Sequence, residues 1–297
     1  MSHATSPSTQ SPYGVARVTA VWGLARSSFY AVRHRQAHPR QANKRGPKVL
    51  SDPELLLEIQ KLLAAPVFAG EGYRKIWARL RFAGVRTSKE RVLRLLRANQ
   101  LLSPARMIAP VRANRHEGTI VAEAPNEMWG TDATATFTEQ EGTVTIYAAV
   151  DHCSADCVGI HVVKKASRFE ALEPLRQGMK EYFGGFSGGV AAGMRLRHDH
   201  GSVYMSDDFQ NEIRFLGIEA SPAFVRQPEG NGCIERFFRT LKEQLLWVRR
   251  FGDVEELRAA LSEFRERYNQ HWIIHRLGHR TPAQARRDFM VELPVAA

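Results

Sequence analysis

Three acidic residues in the second half of the chain stand where a side chain usually serves a site rather than a surface. Asp132 lies inside the β-rich run WGTDATATF, where a charge is costly unless it is paired or binds a cation. Asp199 ends the stretch RLRHD and is flanked by His198 and His200, with Gly201 just behind. Glu235 falls in the first turn of the helical run NGCIERFFRTLKEQLLW, after a glycine-rich loop. Asp and Gly are ordinary turn residues, so Asp199 alone reads equally as a turn or as a metal ligand. Taken together the three offer only oxygen donors, a set that suits Mg²⁺ or Mn²⁺ more than zinc or copper.

Cations accompany the acids. Lys242 follows Glu235 by two helical turns and Arg239 by one, so both share its helix face. Arg239 could equally form a salt bridge on its own helix. Ile234, Phe238, Leu241 and Leu245 recur at helical spacing and are expected in the core. His271, His275 and His279 repeat every four residues, as zinc ligands can, but a break at Leu277-Gly278 and the lack of a cysteine pair argue against zinc. Cys153 and Cys157 are read as turn and strand packing, and Asp151 and Asp156 as shaping the turn between two strands.

The elements that must carry these residues follow from the hydrophobic pattern. MWGTDATATFT (128–138), TVTIYAAVDH (143–152) and CVGIHVVKK (157–165) are β-rich runs separated by turn residues. A helix at 168–183, a fourth strand MRLRHD, a helix at 207–216, a short strand near 218–221 and helices at 232–249 and 253–269 complete a mixed α/β domain. Upstream, Ser51-Asp52-Pro53-Glu54 opens a helix with a capping box, and helices are expected at 53–64, 72–82 and 88–98. The last carries Lys89, Arg91, Arg94 and Arg97 on its polar faces. Residues 14–34 read as two short helices broken at Gly23, a helix-turn-helix spacing with Arg26-Ser27-Ser28 opening the second. The expected division is therefore 1–47 (helix-turn-helix and basic linker), 48–102 (helical DNA-binding domain), 103–126 (linker) and 127–297 (catalytic core with helical tail).

Charge is divided unevenly along these parts. Residues 1–117 hold 21 Lys and Arg against 6 Asp and Glu, whereas residues 118–297 hold 21 against 25. A basic front half joined to a slightly acidic back half predicts that the front grips a polyanion. With 43% hydrophobic and 25% charged residues the chain is globular in composition, and it has no apolar run long enough to cross a bilayer. Three cysteines and a polar N-terminus point to the reducing cytoplasm.

The motifs WGTD, then HDHGS with Tyr204 beyond it, then EGNGxxERFFRTLK resemble the catalytic core of retroviral-type integrases and insertion-sequence transposases. Thirty-five residues separate Asp199 from Glu235, as in the D, D, 35, E triad of that superfamily. Within it the chain is most similar to the downstream-frame product of two-frame insertion elements, over residues 52–285. The tail YNQHWIIHRLGHRTP keeps Tyr268, Asn269, His275, Leu277, Gly278, Thr281 and Pro282 but lacks the Arg-Pro pair that precedes the histidine in that family.

The resemblance implies an RNase H-like core with a five-stranded mixed sheet, preceded by small helical DNA-binding units. It further implies a triad of Asp132, Asp199 and Glu235 holding two Mg²⁺ ions, with Mn²⁺ as a substitute, that cleave and join DNA by in-line transesterification. Lys242, with Arg239, would hold the phosphate of the DNA end, and Lys89, Arg91, Arg94 and Arg97 would contact DNA. The implied partners are DNA, further copies of the chain and an upstream-frame protein, in a bacterial cytoplasm and on the nucleoid. Two other readings use the same residues: a catalytically silent, domesticated transposase that regulates by occupying DNA, and a ribonuclease H-type nuclease.

Overall fold

The computed structural model describes residues 3–38, 50–64, 66–103, 122–222 and 231–292. The basic stretch 39–49 and most of the linker expected at 103–126 lie outside the described residues. The chain forms two compact units, Met1–Ser51 and Asp52–Ala297. In the smaller unit, α1 (Gly14–Val21) and α2 (Arg26–Ala37) flank a turn at Gly23, whose φ of 61° suits glycine. On α1, Val21 and Trp22 are exposed, because two short helices enclose too little volume to bury them.

The larger unit is built on one sheet. β1 (Met128–Thr138), β2 (Gly142–Asp151) and β3 (Cys157–Val163) form an antiparallel meander. β4 (Arg195–His198) runs parallel to β1 on its other side, and β5 (Glu219–Pro222) parallel to β4. The resulting order β3-β2-β1-β4-β5, with a helical crossover before each parallel strand, is an RNase H-like fold. The crossovers are α6 (Arg168–Tyr182) and α7 (Asp207–Phe215), each opened by a serine whose Oγ accepts a backbone N–H three residues on.

Both faces of the sheet are covered, and β2 records it by strict alternation. Ile146, Ala148 and Val150 pack toward Ile234, Phe237, Phe238 and Leu241 of α8 (Gly232–Leu241) and toward Leu257, Leu261 and Phe264 of α9 (Val254–His271). Tyr147 and Ala149 point the other way, into a core with Trp129, Leu196, Leu175 and Met179. Pro174 sits inside α6, and its carbonyl lies where a Cβ on Gly159 would fall (2.0 Å), so only glycine lets β3 and α6 come this close.

Ahead of the sheet, α3 (Asp52–Ala64), α4 (Tyr73–Phe82) and α5 (Lys89–Ala98) bury Leu55, Ile59, Ile76, Leu80, Val92, Leu95 and Leu96 between them. They belong to the same unit as the sheet and are tied to its outer helices. Phe68 meets Trp272 edge-on at 4.8 Å, and the Gln244 amide pairs with both the N–H and the C=O of Ala69 (2.9 and 3.0 Å). Arg79 grips Glu71 through two bonds and reaches the carbonyl of His271 (3.3 Å). Among the described residues no helix is long and apolar enough to cross a membrane.

The turn between β2 and β3 is organised by acids, as its sequence predicts. Asp151, fully buried, accepts the N–H and hydroxyl of Ser154 (2.7 and 2.9 Å). The last helix, α10 (Pro282–Glu292), inserts Arg286 over the Tyr182 ring and against Asp156 (3.1 Å) and Asp151 (3.5 Å). Removing the cation would leave two buried carboxylates facing each other, a loss of about 3–5 kcal/mol. Arg286→Ala should therefore lower the urea midpoint of the full chain accordingly; a change below about 1 kcal/mol would mean that α10 is held by something else.

Candidate active site

The position of Asp132 follows from strand register. It pairs with Ala148 of β2, whose methyl belongs to the core under α8 and α9, so the Asp132 side chain lies on that face. Gly130, two residues earlier, pairs with Arg197 of β4, which makes Asp199 the next position along the same face after β4 ends. α8 packs on this face through Ile234, Phe237 and Phe238, and Glu235 stands in its first turn. Two parallel strands and one docked helix thus bring together residues separated by 67 and 36 positions in the chain.

Their charges are felt mutually. The Asp132 carboxyl is raised to about 6, first by burial and then by the charges of Asp199 and Glu235; the Ala133 N–H that it accepts (2.8 Å) and the Lys242 ammonium act the other way. Asp199 is exposed and accepts the N–H of Gly201 (2.8 Å), so the turn reading of HDHGS and the site reading are both satisfied by one carboxylate. Among the described residues no three His, Cys, Asp or Glu side chains stand at metal-ligand spacing. Like charges with nothing positive between them repel, so the acids cluster without closing. An all-oxygen donor set with one acid raised toward neutrality fits a hard divalent cation, whose charge would reverse that shift.

The flanking histidines differ. His198 is fully buried on the opposite face, stacked on Tyr204 (5.8 Å) and edge-on to Phe209 (6.1 Å), and burial lowers its pKa. Its Nδ1 lies 2.7 Å from the Asp199 carbonyl, so the neutral ring orients the loop and does not touch solvent. His200 is exposed. The helix expected over 232–249 ends at Leu241 and passes into a π turn, Lys242–Leu246, a local widening often found at functional sites. Lys242 is its first residue and remains within electrostatic reach of Asp132, whereas Arg239 pairs with Glu243 (2.9 Å).

Gly130 and Asn231 hold this arrangement in place, and the residue type of Asn231 does not single it out in sequence. Asn231, at the start of α8, donates to the carbonyl of Thr131 (3.2 Å), one residue from Asp132. It can do so because a Cβ on Gly130 would lie 2.7 Å from His152 Nε2 and 2.8 Å from Asn231 Oδ1. The one available signal was a glycine inside an otherwise β-favouring strand, which marks a close approach. Beneath Asp199, Arg197 is 5% exposed and donates to Ser221 Oγ (3.1 Å).

Of the basic residues expected on DNA, Arg91 and Arg94 of α5 both bind the Asp52 carboxylate (2.7 Å each), which holds that carboxyl below its usual range. Arg97 is exposed and Lys89 lies over the Trp77 ring (4.5 Å). His271, His275 and His279 end α9, open a 3₁₀ turn and follow Gly278 respectively, so they share no helix face.

The Integrase core domain family matches this chain in two overlapping parts, residues 122–228 and 216–282. The chain belongs to the integrase core family. The match spans the whole sheet and carries Asp132, Asp199 and Glu235 inside it. This integrase core chain is 25% identical over 280 residues to the transposase InsD of the insertion element IS2A/D/F/H/I/K of Escherichia coli, covering 92% of the chain and 90% of that protein. It is also 25% identical to the 48.2 kDa protein of insertion element IS2A of Escherichia coli, over 95% of the chain but only 66% of that longer protein. Among solved structures it is similar to the simian T-cell lymphotropic virus intasome (TM-score 0.48, 19% identity, 81% of this chain and 76% of that one).

The raised carboxyl of the integrase core has a consequence for stability. Its folded-state value lies above the ordinary 3.8, so the stability it contributes is complete below about pH 4 and lost as pH rises through 6. Asp132→Asn keeps the acceptor for Ala133 but removes the charge. Without divalent ions it should be about 1–2 kcal/mol more stable than the parent at pH 7.5, allowing for solvent at a half-buried site. The gap should close toward pH 4 in denaturation curves; a gap independent of pH would refute the repulsion.

Proposed function

We propose that this chain is a transposase that cleaves DNA at the ends of a mobile element and joins those ends to target DNA. The observation that carries the reading is the convergence of Asp132, Asp199 and Glu235 on one face of the sheet, where burial, and then the charges of the other two acids, raise the Asp132 carboxyl to about 6, with Lys242 in the same field. The three carboxylates would hold Mg²⁺, with Mn²⁺ as a substitute, as a pair of ions. The chemistry they would supply is activation of the attacking oxygen and stabilisation of the leaving one.

The reaction has two displacements at phosphorus. Water attacks the phosphodiester at the element's end, releasing a 3′-OH. That hydroxyl then attacks a phosphodiester of the target, forming a new strand joint and releasing a target 3′-OH. The chain's own residues orient: His198 and the Gly201 N–H fix the loop of Asp199, Asn231 fixes the start of the Glu235 helix, and Lys242 offers its ammonium to the end phosphate. Such a protein works on DNA as an oligomer in the bacterial cytoplasm, with an upstream-frame protein supplying further end recognition. The basic excess in residues 1–117 supports the DNA substrate.

Asp199→Asn keeps the size and the turn acceptor but not the charge. It should lower strand transfer from a pre-processed end by about 10³-fold in Mg²⁺, and similarly in Mn²⁺, while leaving DNA binding within a factor of two or so of the parent. His200→Ala should be milder, and Lys242→Ala should mainly weaken engagement of the end. Strand transfer by Asp199→Asn at near the parent rate would return that residue to a turn role and remove the triad.

A further inference from the structure

Ion pairing in the larger unit is selective. Arg79 is committed to Glu71, Arg91 and Arg94 to Asp52, and Arg280 to Asp288. Arg74, Arg81 and Lys89 have no carboxylate partner among the described residues, and they gather in one place. That place is Trp77, at the centre of α4. The Arg81 guanidinium sits 5.0 Å and the Lys89 ammonium 4.5 Å from its ring, and its indole N–H is fixed by the Thr87 carbonyl (2.8 Å). The third side is closed by the C-terminal turn, where the His279 ring meets Trp77 at 5.3 Å and His275 at 4.9 Å.

From this geometry we infer that α4, α5 and the C-terminal turn together form one duplex-DNA-binding face of the larger unit. Arg74, Arg81, Lys89, His275 and His279 set around Trp77 receive the phosphate backbone. The inference rests on the DNA substrate proposed above and names the surface that grips it. α5's Arg91 and Arg94, which the sequence suggests as contacts, are spent on Asp52 and do not take part.

Three features support it. Like charges gathered without a counterion repel, and a phosphate backbone relieves that repulsion while releasing its own condensed cations. The positive field is shared: His279 is held below the usual imidazole range by burial, and then by His275, Lys89, Arg74 and Arg81. The turn is also strained to deliver the ring, since His279 follows Gly278 with both in the left-handed region (φ 67° and 68°), a conformation that costs a non-glycine residue roughly 1 kcal/mol or more. Cationic heads held beside an aromatic ring suit a phosphate more than a base edge, so the face should position DNA without reading sequence.

The test uses the full chain and a duplex of arbitrary sequence, with affinity measured against salt. The triple variant R74Q/R81Q/K89Q removes three charges and leaves Trp77 unchanged. It should flatten the log–log salt slope by roughly two to three, at about 0.9 per lost phosphate contact, and weaken binding at least about tenfold at 0.1 M salt. R94Q should leave the slope unchanged. On the parent, without any substitution, saturating duplex should raise the imidazole pKa of His279 seen by NMR. A parent that binds duplex while R74Q/R81Q/K89Q keeps its slope, or whose His279 titration ignores DNA, overturns this face alone. A parent that binds no duplex overturns the DNA reading together with it.

Discussion

Repulsion between carboxylates is the constraint around which the larger unit is organised. Asp132 is half-buried on a strand, and two further acids are held where their charges add to the cost of ionising it. No local preference of a strand or helix favours this. It is sustained by two covered sheet faces, by α8 pressed onto one of them, and by a short run of parallel pairing between β1 and β4.

The supports are themselves polar contacts in buried places, each depending on a small residue or a fixed partner. Asn231 reaches the β1 backbone only because Gly130 has no side chain, and α8 thereby starts at the height that brings Glu235 to Asp132. On the far face His198, buried and neutral, bonds to the Asp199 carbonyl and stacks into the aromatic core, so the loop is fixed from behind. At the outer end Arg286 stands between Asp151 and Asp156, where acid crowding is settled by a resident cation instead. The two clusters show the two available solutions to buried like charge.

The basic residues follow a similar division. Those of α5 that a helical reading would send outward to a polyanion are partly drawn back by Asp52 across the helix bundle, while those around Trp77 keep their charge uncompensated. A count of Lys and Arg along the chain cannot separate these groups, because pairing depends on which acid lies opposite.

The sequence determined the elements and their chemistry. β-rich runs bounded by turn residues mark β1 to β3, serine and aspartate caps mark the helix starts, and the spacing of Asp132, Asp199 and Glu235 with their neighbours marks the candidate site. These are legible because they are local: one residue's type and its near neighbours suffice. The tertiary structure alone decided that β4 pairs in parallel with β1, that α8 ends in a π turn at Lys242, and that His198 faces the core while Asp199 faces the site. It alone decided, too, that Arg91 and Arg94 share the Asp52 carboxylate while Lys89 meets His279 across Trp77. Each of these depends on which side chain stands opposite at long sequence separation, and the energy of a charge or a buried polar group is set by that partner and by the water excluded around it.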